Sequence, residues 1–332
     1  VVPPSDTTPR VTVACIPRDH LSDVLTALDA LLATLADEPV PHELVYVVGL
    51  TPPALLADIR ARADEHGFRV LELDGVPVPG AARNLVLAET EAEYVAYLDN
   101  DVVPAPGWLS ALVRCADETG AAQVAPLQLV GPLDLQAVHV AGGMVHLGEG
   151  SPRSFEPEFV GQGSYVHEVA HQLVRRRCDF AEFHLQLNRV EALRAVGGSD
   201  ELLLTGREVE DTSMRLAAAG GEVWFEPEAV ATFLPPTCSR SWTEVRIMSR
   251  RWSERANRKS WERFIAKHDL DDGDLSHMGF ANGLRRANTG LVKRAVADKL
   301  PGTKAGKAFM KPFYAVERTL NWLLVHPTDT RY

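Results

Sequence analysis

The chain has 332 residues, 45% hydrophobic and 24% charged, which is room for one large domain or two ordinary ones and argues against wholesale disorder or a fibrous architecture. A formal net charge of -11 speaks against a sequence-independent nucleic-acid binder, which needs a basic footprint to displace counterions. No apolar run approaches the roughly 20 residues that span a bilayer, and the amino terminus lacks the regions of a secretion signal, so a cytoplasmic chain is expected.

From Val11 the chain alternates short apolar strands with helical patterns, the signature of a largely parallel sheet covered by helices. Val11 to Ile16 reads as a strand, and the apolar positions from Leu21 to Leu35 recur at helical spacing before the break at Pro39 and Pro41. A strand at Leu44 to Val48, a helix at Ala54 to His66 closed by Gly67, and a strand at Phe68 to Leu73 follow. Beyond the Gly/Pro loop at 75 to 80 come a helix at Ala81 to Glu89 and a strand at Tyr94 to Leu98. That strand runs directly into Asp99-Asn100-Asp101. A helix at Gly107 to Ala116 and a strand at Gln123 to Val130 come next, then an irregular Gly-, Pro- and His-rich stretch over 131 to 172. Inserts of that length within an ordered domain are often functional. Order resumes at Asp179 to Asn188, with a helix at Arg189 to Val196 and an acidic helix start at Glu208 to Asp211. The sheet pattern ends at Pro235-Pro236, which predicts a domain over 11–235 and a helical extension over 236–332.

Open parallel sheets bind ligands beyond the carboxyl ends of their strands, and the acidic triplet sits at such an end. Asp99 and Asp101 are one residue apart, so extended geometry points both side chains to the same side. Two carboxylates aimed together suit Mg2+ or Mn2+, particularly when phosphates complete the coordination. Acidic pairs are also common in solvated turns, and the triplet by itself leaves both readings open.

The surrounding motifs narrow it. YVAYLDNDVVPAPGWL at 94 to 109 resembles the segment of family 2 glycosyltransferases in which a strand ends in the D-x-D metal motif and Pro-Gly-Trp-Leu opens a helix. Gly80 with Ala82-Arg83-Asn84 resembles that family's G-x-x-x-ARN stretch, and VTVACIPRDH at 11 to 20 its first strand and nucleotide loop. HVAGGMVHLGEG at 139 to 150 is similar to a segment of its cell-wall and rhamnosyl-type members. Gly197-Gly198, the acids at 208 to 211, Arg215-Leu216, Gly220 and FEPEAV at 225 to 230 keep the family's order.

The resemblance implies a GT-A fold, a Rossmann-like α/β architecture with a mostly parallel mixed sheet flanked by helices, followed by a C-terminal helical segment. It implies an inverting hexosyltransferase with a nucleotide-diphosphate sugar as donor and Mg2+ or Mn2+ shielding the diphosphate. The acceptor is left open among a glycan, a lipid-linked sugar, a peptide and a natural product. Carried over by position, Pro17, Arg18 and Asp19 border the base, Arg83, Asp99 and Asn100 face the nucleotide, and Asp99 and Asp101 hold the metal. Asp19 equally suits a helix N-cap, and Arg83 a surface cation.

Inverting transfer needs a carboxylate to take the acceptor's proton. The resemblance puts it at the helix start, where Asp211 is the first choice and Glu210 and Glu208 follow. An ungapped count from Arg215 places Val209 at the family's base, with Asp211 also able to pair with Arg215 one turn on. Relatives often have a histidine metal ligand where this chain has Phe233, with His139, His146 and His184 as substitutes or as structural histidines. A noncatalytic nucleotide-sugar or carbohydrate-binding protein and a sugar-phosphate nucleotidyltransferase are the competing readings, although residues 11 to 20 lack the latter's Gly-rich loop.

Cys15, Cys115, Cys178 and Cys238 show no paired spacing and read as reduced thiols. The basic, Trp-containing stretch from Ser241 to Lys267 suits a helix on the core or a lid that holds phosphates. The tail from Lys293 to Trp322 suits a homodimer contact or a peripheral membrane surface.

Overall fold

The computed structural model describes residues 8–18, 20–234, 241–251 and 253–271, with 312, 315, 316 and 319. The first half builds the sheet from local patterns. Strand β1 (Val11–Ile16), helix α1 (Val24–Ala36), β2 (His42–Val48), α2 (Pro53–His66), β3 (Arg69–Glu72), α3 (Pro79–Glu89) and β4 (Tyr94–Asp99) alternate as the periodicity predicts. Short β5 (Val102–Pro104), α4 (Trp108–Thr119) and β6 (Gln123–Val130) follow. The second half supplies β7 (Ala137–Ala141), β8 (Gly143–Leu147), β9 (Phe155–Phe159), the single-turn α5 (Val166–Val169) and β10 (Arg176–Cys178). Then come β11 (Leu185–Arg189), α6 (Val190–Ala195), α7 (Glu208–Ala218), β12 (Val223–Phe233), α8 (Trp242–Arg251) and α9 (Glu254–His268).

The main sheet runs β10-β12-β6-β11-β4-β1-β2-β3, with β5 joined to β12 and β7 to β6. Strands β3, β2, β1 and β4 are mutually parallel and β12 is parallel to β6, while β11 runs antiparallel between β4 and β6. Every residue of β1 is buried, because alternate side chains enter different cores. Val11, Val13 and Cys15 meet Leu28, Leu31, Trp108 and Leu112 on one face. Ala14 and Ile16 meet Ala82, Val86 and Leu193 on the other. Helices α2 and α4 stop where the sequence supplies a glycine that takes a left-handed backbone, at Gly67 and Gly120.

Residues 131–172 are more ordered than their composition suggests. Strand β7 extends the edge of β6, and β8 and β9 form a separate antiparallel hairpin. The Gly142-Gly143 pair is a packing requirement: a Cβ on Gly143 would lie 2.2 Å from the Phe180 ring. The hairpin docks on α9, where Phe155 meets Phe264 with ring centroids 5.0 Å apart, the Arg153 N–H donates to the Asp269 carbonyl at 3.0 Å and the Arg153 carbonyl accepts from the Asp271 N–H at 2.7 Å. Strand β12 has no counterpart among the strands expected from sequence. Of the helical extension, α8 and α9 lie among the described residues; the proposed tail surface from Lys293 to Trp322 falls almost wholly outside them. Among the described residues no helix is long and apolar enough to cross a membrane.

Candidate active site

Parallel pairing of β1 with β4 puts Ile16 opposite Asp99, so the loop after β1 and the acidic triplet open on the same edge. The Asn100 N–H donates to the Ile16 carbonyl at 3.1 Å, and the Arg18 N–H returns a bond to Asn100 Oδ1 at 3.1 Å. Between them these strand ends wall a cleft lined by Pro17, Arg18, Val48, Leu50, Pro77 and Asn100. Asp19 lies outside the described residues.

Asp99 is 1% exposed. Arg18 Nε lies 2.9 Å from Asp99 Oδ2, but off the line of a donated bond, so both carboxylate oxygens lack a hydrogen-bond donor among the described residues. Burial pushes the Asp99 carboxyl up to about 7, while Arg18, Arg83 and Arg251 pull it the other way. Asp101 is 5% exposed, and its carbonyl accepts from the Leu234 N–H at 2.9 Å, which ties it to the end of β12. A buried carboxylate lacking donors, beside a second one, fits a divalent cation.

Arg83 is buried on α3, with Nε and Nη2 unpaired among the described residues. A buried guanidinium with open donors calls for an anion. Asn84, next in the motif, is structural: it donates to the Ser199 carbonyl at 2.9 Å and accepts from the Ser199 N–H at 2.8 Å. Arg215 buttresses the same turn through the carbonyls of Val196 and Gly198.

The acids of α7 go to different places. Gly206 and Arg207 both take left-handed backbone, at φ 69 and 66, an unusual setting for an arginine that sets the phase of the helix. Glu208 then turns toward Arg18, which lines the cleft, with Oε1 3.4 Å from Arg18 Nη1 and 4.0 Å from Arg251 Nη2, while its buried Oε2 has no partner among the described residues. Glu210 is held by Arg207 at 2.5 Å, and burial raises its carboxyl against that pull. Asp211 is 0% exposed and caged by Arg215 at 2.9 Å, Lys267 at 2.8 Å and His268 at 2.8 Å. Burial alone would raise its carboxyl, yet His268, Lys267 and Arg215 hold it down at about 2.

Next to this cleft lies a group only partly foreseen. His184 and His139 stand among the substitutes proposed from sequence, but Glu182 between them does not. Glu182 Oε2 accepts from the His184 N–H at 2.9 Å and lies 2.6 Å from its Nδ1, while Oε1 lies 3.6 Å from His139 Nε2. Phe233 caps the group, its ring 4.0 Å from that of His184. Burial drives His184 down to about 4 against the pull of Glu182. Burial also works against ionised Glu182, yet His184 and His139 hold its carboxyl below the usual range. His146 instead pairs with Glu158 on the exposed hairpin. The signal in the sequence was Glu182-Phe-His184, two ligand types at strand spacing ahead of β11.

Residues 23–177 match the family model described as glycosyl transferase family 2. Two pre-mycofactocin glycosyltransferases, from Mycobacterium tuberculosis strains CDC 1551 / Oshkosh and ATCC 25618 / H37Rv, are each 32% identical over 167 residues, 49% of this chain and 32% of theirs. The chain therefore spans about a third of the length of the curated relatives it matches. Among solved structures, GalNAc-T7 with UDP, GalNAc and Mn2+ superposes with a TM-score of 0.51 at 13% identity, over 90% of this chain and 59% of its own. The mannosyltransferase PcManGT from Pyrobaculum calidifontis, in complex with GDP-Man and Mn2+, gives 0.47 at 17% identity, over 96% and 86%.

Proposed function

We propose, for a GT-A-fold chain whose residues 23–177 match the glycosyl transferase family 2 model, that it moves a sugar from a nucleoside-diphosphate donor to an acceptor nucleophile with inversion at the anomeric carbon. The observation that carries this is the pairing of Asp99, whose buried oxygens lack donors among the described residues, with the open donors of Arg83, next to a cleft walled by Arg18 and Asn100. A cation and a diphosphate satisfy both at once. GalNAc-T7, which shares the fold, holds the same two ligand classes, a nucleoside diphosphate and Mn2+.

Pro17, Arg18 and Asn100 wall the base and ribose, and Arg83 donates to the diphosphate. Asp99 and Asp101 hold Mg2+ or Mn2+, which when bound offsets the negative charge that builds on the leaving diphosphate. Glu208 takes the acceptor's proton through Oε2, its second oxygen being steadied by Arg18. The base thus passes from Asp211, the first choice on sequence, to Glu208. Arg215, Lys267 and His268 occupy the Asp211 carboxylate, and accepting a proton there would disturb each of those contacts. Glu210 is held by Arg207 in the same way.

The test is incubation with UDP-, GDP- and dTDP-sugars with and without Mn2+. One donor is expected to be hydrolysed or transferred in a metal-dependent reaction that Asp101→Ala removes. Binding of a nucleotide sugar without any turnover would instead support a noncatalytic binding protein.

A further inference from the structure

The edge of β6 changes partner partway along. Its first residues pair with β11, Leu187 lying opposite Val124, and its last four pair with β7. Gln128 fills the changeover, donating from Nε2 to the carbonyls of Glu182 at 3.1 Å and Leu185 at 2.9 Å. At that point β7 carries a bulge: Val140 pairs with Gln128 and Val138 with Leu129, which leaves His139 as the extra residue. Bulges of this kind re-aim a side chain and are frequent beside sites of chemistry.

The fold thus gathers His139, Glu182 and His184 from segments more than forty residues apart in sequence. Their ligand atoms all lie within 4.8 Å of one another, and the two imidazole rings meet edge-on at 5.0 Å between centroids. Two nitrogens on one ion at 2.0–2.1 Å stand about 3.4 Å apart in tetrahedral geometry, so a turn of about 1 Å by partly exposed His139 closes the set. Phe183 and Phe233 shield the His184 ring at 4.4 and 4.0 Å, a shell that keeps competing water away.

We propose that His139, Glu182 and His184 form a second divalent-metal site, of transition-metal type. Two imidazoles and one carboxylate suit Zn2+, Co2+ or Ni2+, whereas the all-oxygen pair of Asp99 and Asp101 suits Mg2+ or Mn2+. The two sites are neighbours, since the His184 carbonyl accepts the Asp99 N–H at 2.9 Å, but they share no ligand side chain. Three protein ligands leave a fourth position open for water or a substrate oxygen. The proposal stands on its own ligands and does not depend on the donor-sugar reading.

The test uses the full chain, stripped with chelator and free of nucleotide. Zn2+ binding is followed by equilibrium dialysis with metal analysis, and Co2+ binding by its visible d–d absorption. One Zn2+ per chain is expected, with affinity falling at least tenfold in His139→Asn and in His184→Ala, and unchanged in Asp101→Asn. His139 is partly exposed, so if His184→Ala fails to fold, His139→Asn with an unchanged melting curve decides the matter. Failure of the wild-type chain to bind Zn2+ stoichiometrically would mark the trio as a metal-free hydrogen-bonded group and overturn the proposal. Zn2+ binding lost in Asp101→Asn but kept in the histidine variants would overturn it too, by assigning the ion to the first site.

Discussion

Two charge clusters share helix α7, and they are built on opposite terms. Around Asp211, every charge has an answer: Arg215, Lys267 and His268 crowd one carboxylate, and Lys267 and Arg263 share Asp200. Among the described residues around Asp99, its carboxylate oxygens stand buried without donors, Arg83 keeps two nitrogens open, and Glu208 keeps one oxygen open. Leaving such groups unsatisfied costs about 1–3 kcal/mol each, more when charged, and a fold tolerates that where a ligand supplies the missing partners. The saturated cluster is a clasp between α7 and α9, and the unsaturated one is where the proposed function puts the chemistry.

The contrast can be broken first at the metal pair. Asp101→Ala should cut donor turnover about a thousandfold or more, as several kcal/mol of transition-state stabilisation are lost, with the melting temperature little changed. Glu208→Gln should lower kcat by about 100- to 1000-fold while the Kd for the nucleoside diphosphate, read by calorimetry, stays within a few-fold. The mirror experiment is Asp211→Asn, which takes the buried carboxylate away from Arg215 and Lys267 and should cost about 2–4 kcal/mol of stability in denaturant unfolding, with kcat little affected. A kcat collapse in Asp211→Asn at full stability would return the base to that residue. Arg83→Gln should weaken diphosphate binding by about 10- to 100-fold without destabilising the chain.

The two carboxylates are shifted in opposite directions, so acidification reaches them in different pH ranges. Asp99, raised to about 7, must lose a proton to bind a cation, so Mn2+ affinity should fall about tenfold for each pH unit below about 7 and level off above it. Asp211, held at about 2, gives stability that is complete above the ordinary carboxylate range near pH 4 and is lost as pH falls toward 2. The stability gap between the wild-type chain and Asp211→Asn should therefore close over that interval.

Legibility from sequence divides along similar lines. Strands β1 to β4 and their helices follow local apolar periodicity, and Asp99, Arg83 and Arg18 sit at strand and helix ends that local pattern locates. The direction of Glu208 does not follow from such a pattern: one turn holds three acids, and the left-handed Gly206-Arg207 step decides which of them faces the cleft. Strands β7 to β9 escaped notice for a related reason. Each pairs with a neighbour in sequence, but the bulge at His139, Gly142-Gly143 and Pro157 interrupt their short alternation. The meeting of His139 with Glu182 and His184 depends on an edge changing partner, which no window of sequence contains.

The most direct test of the unsaturated cleft is diffraction from crystals soaked with Mn2+ and, in turn, uridine, thymidine and guanosine diphosphate. For one nucleotide, an anomalous manganese peak should appear at bonding distance from the Asp99 and Asp101 carboxylates, with a diphosphate bridging it toward Arg83. A diphosphate ordered elsewhere on the chain, with no manganese at the end of β4, would contradict the assignment.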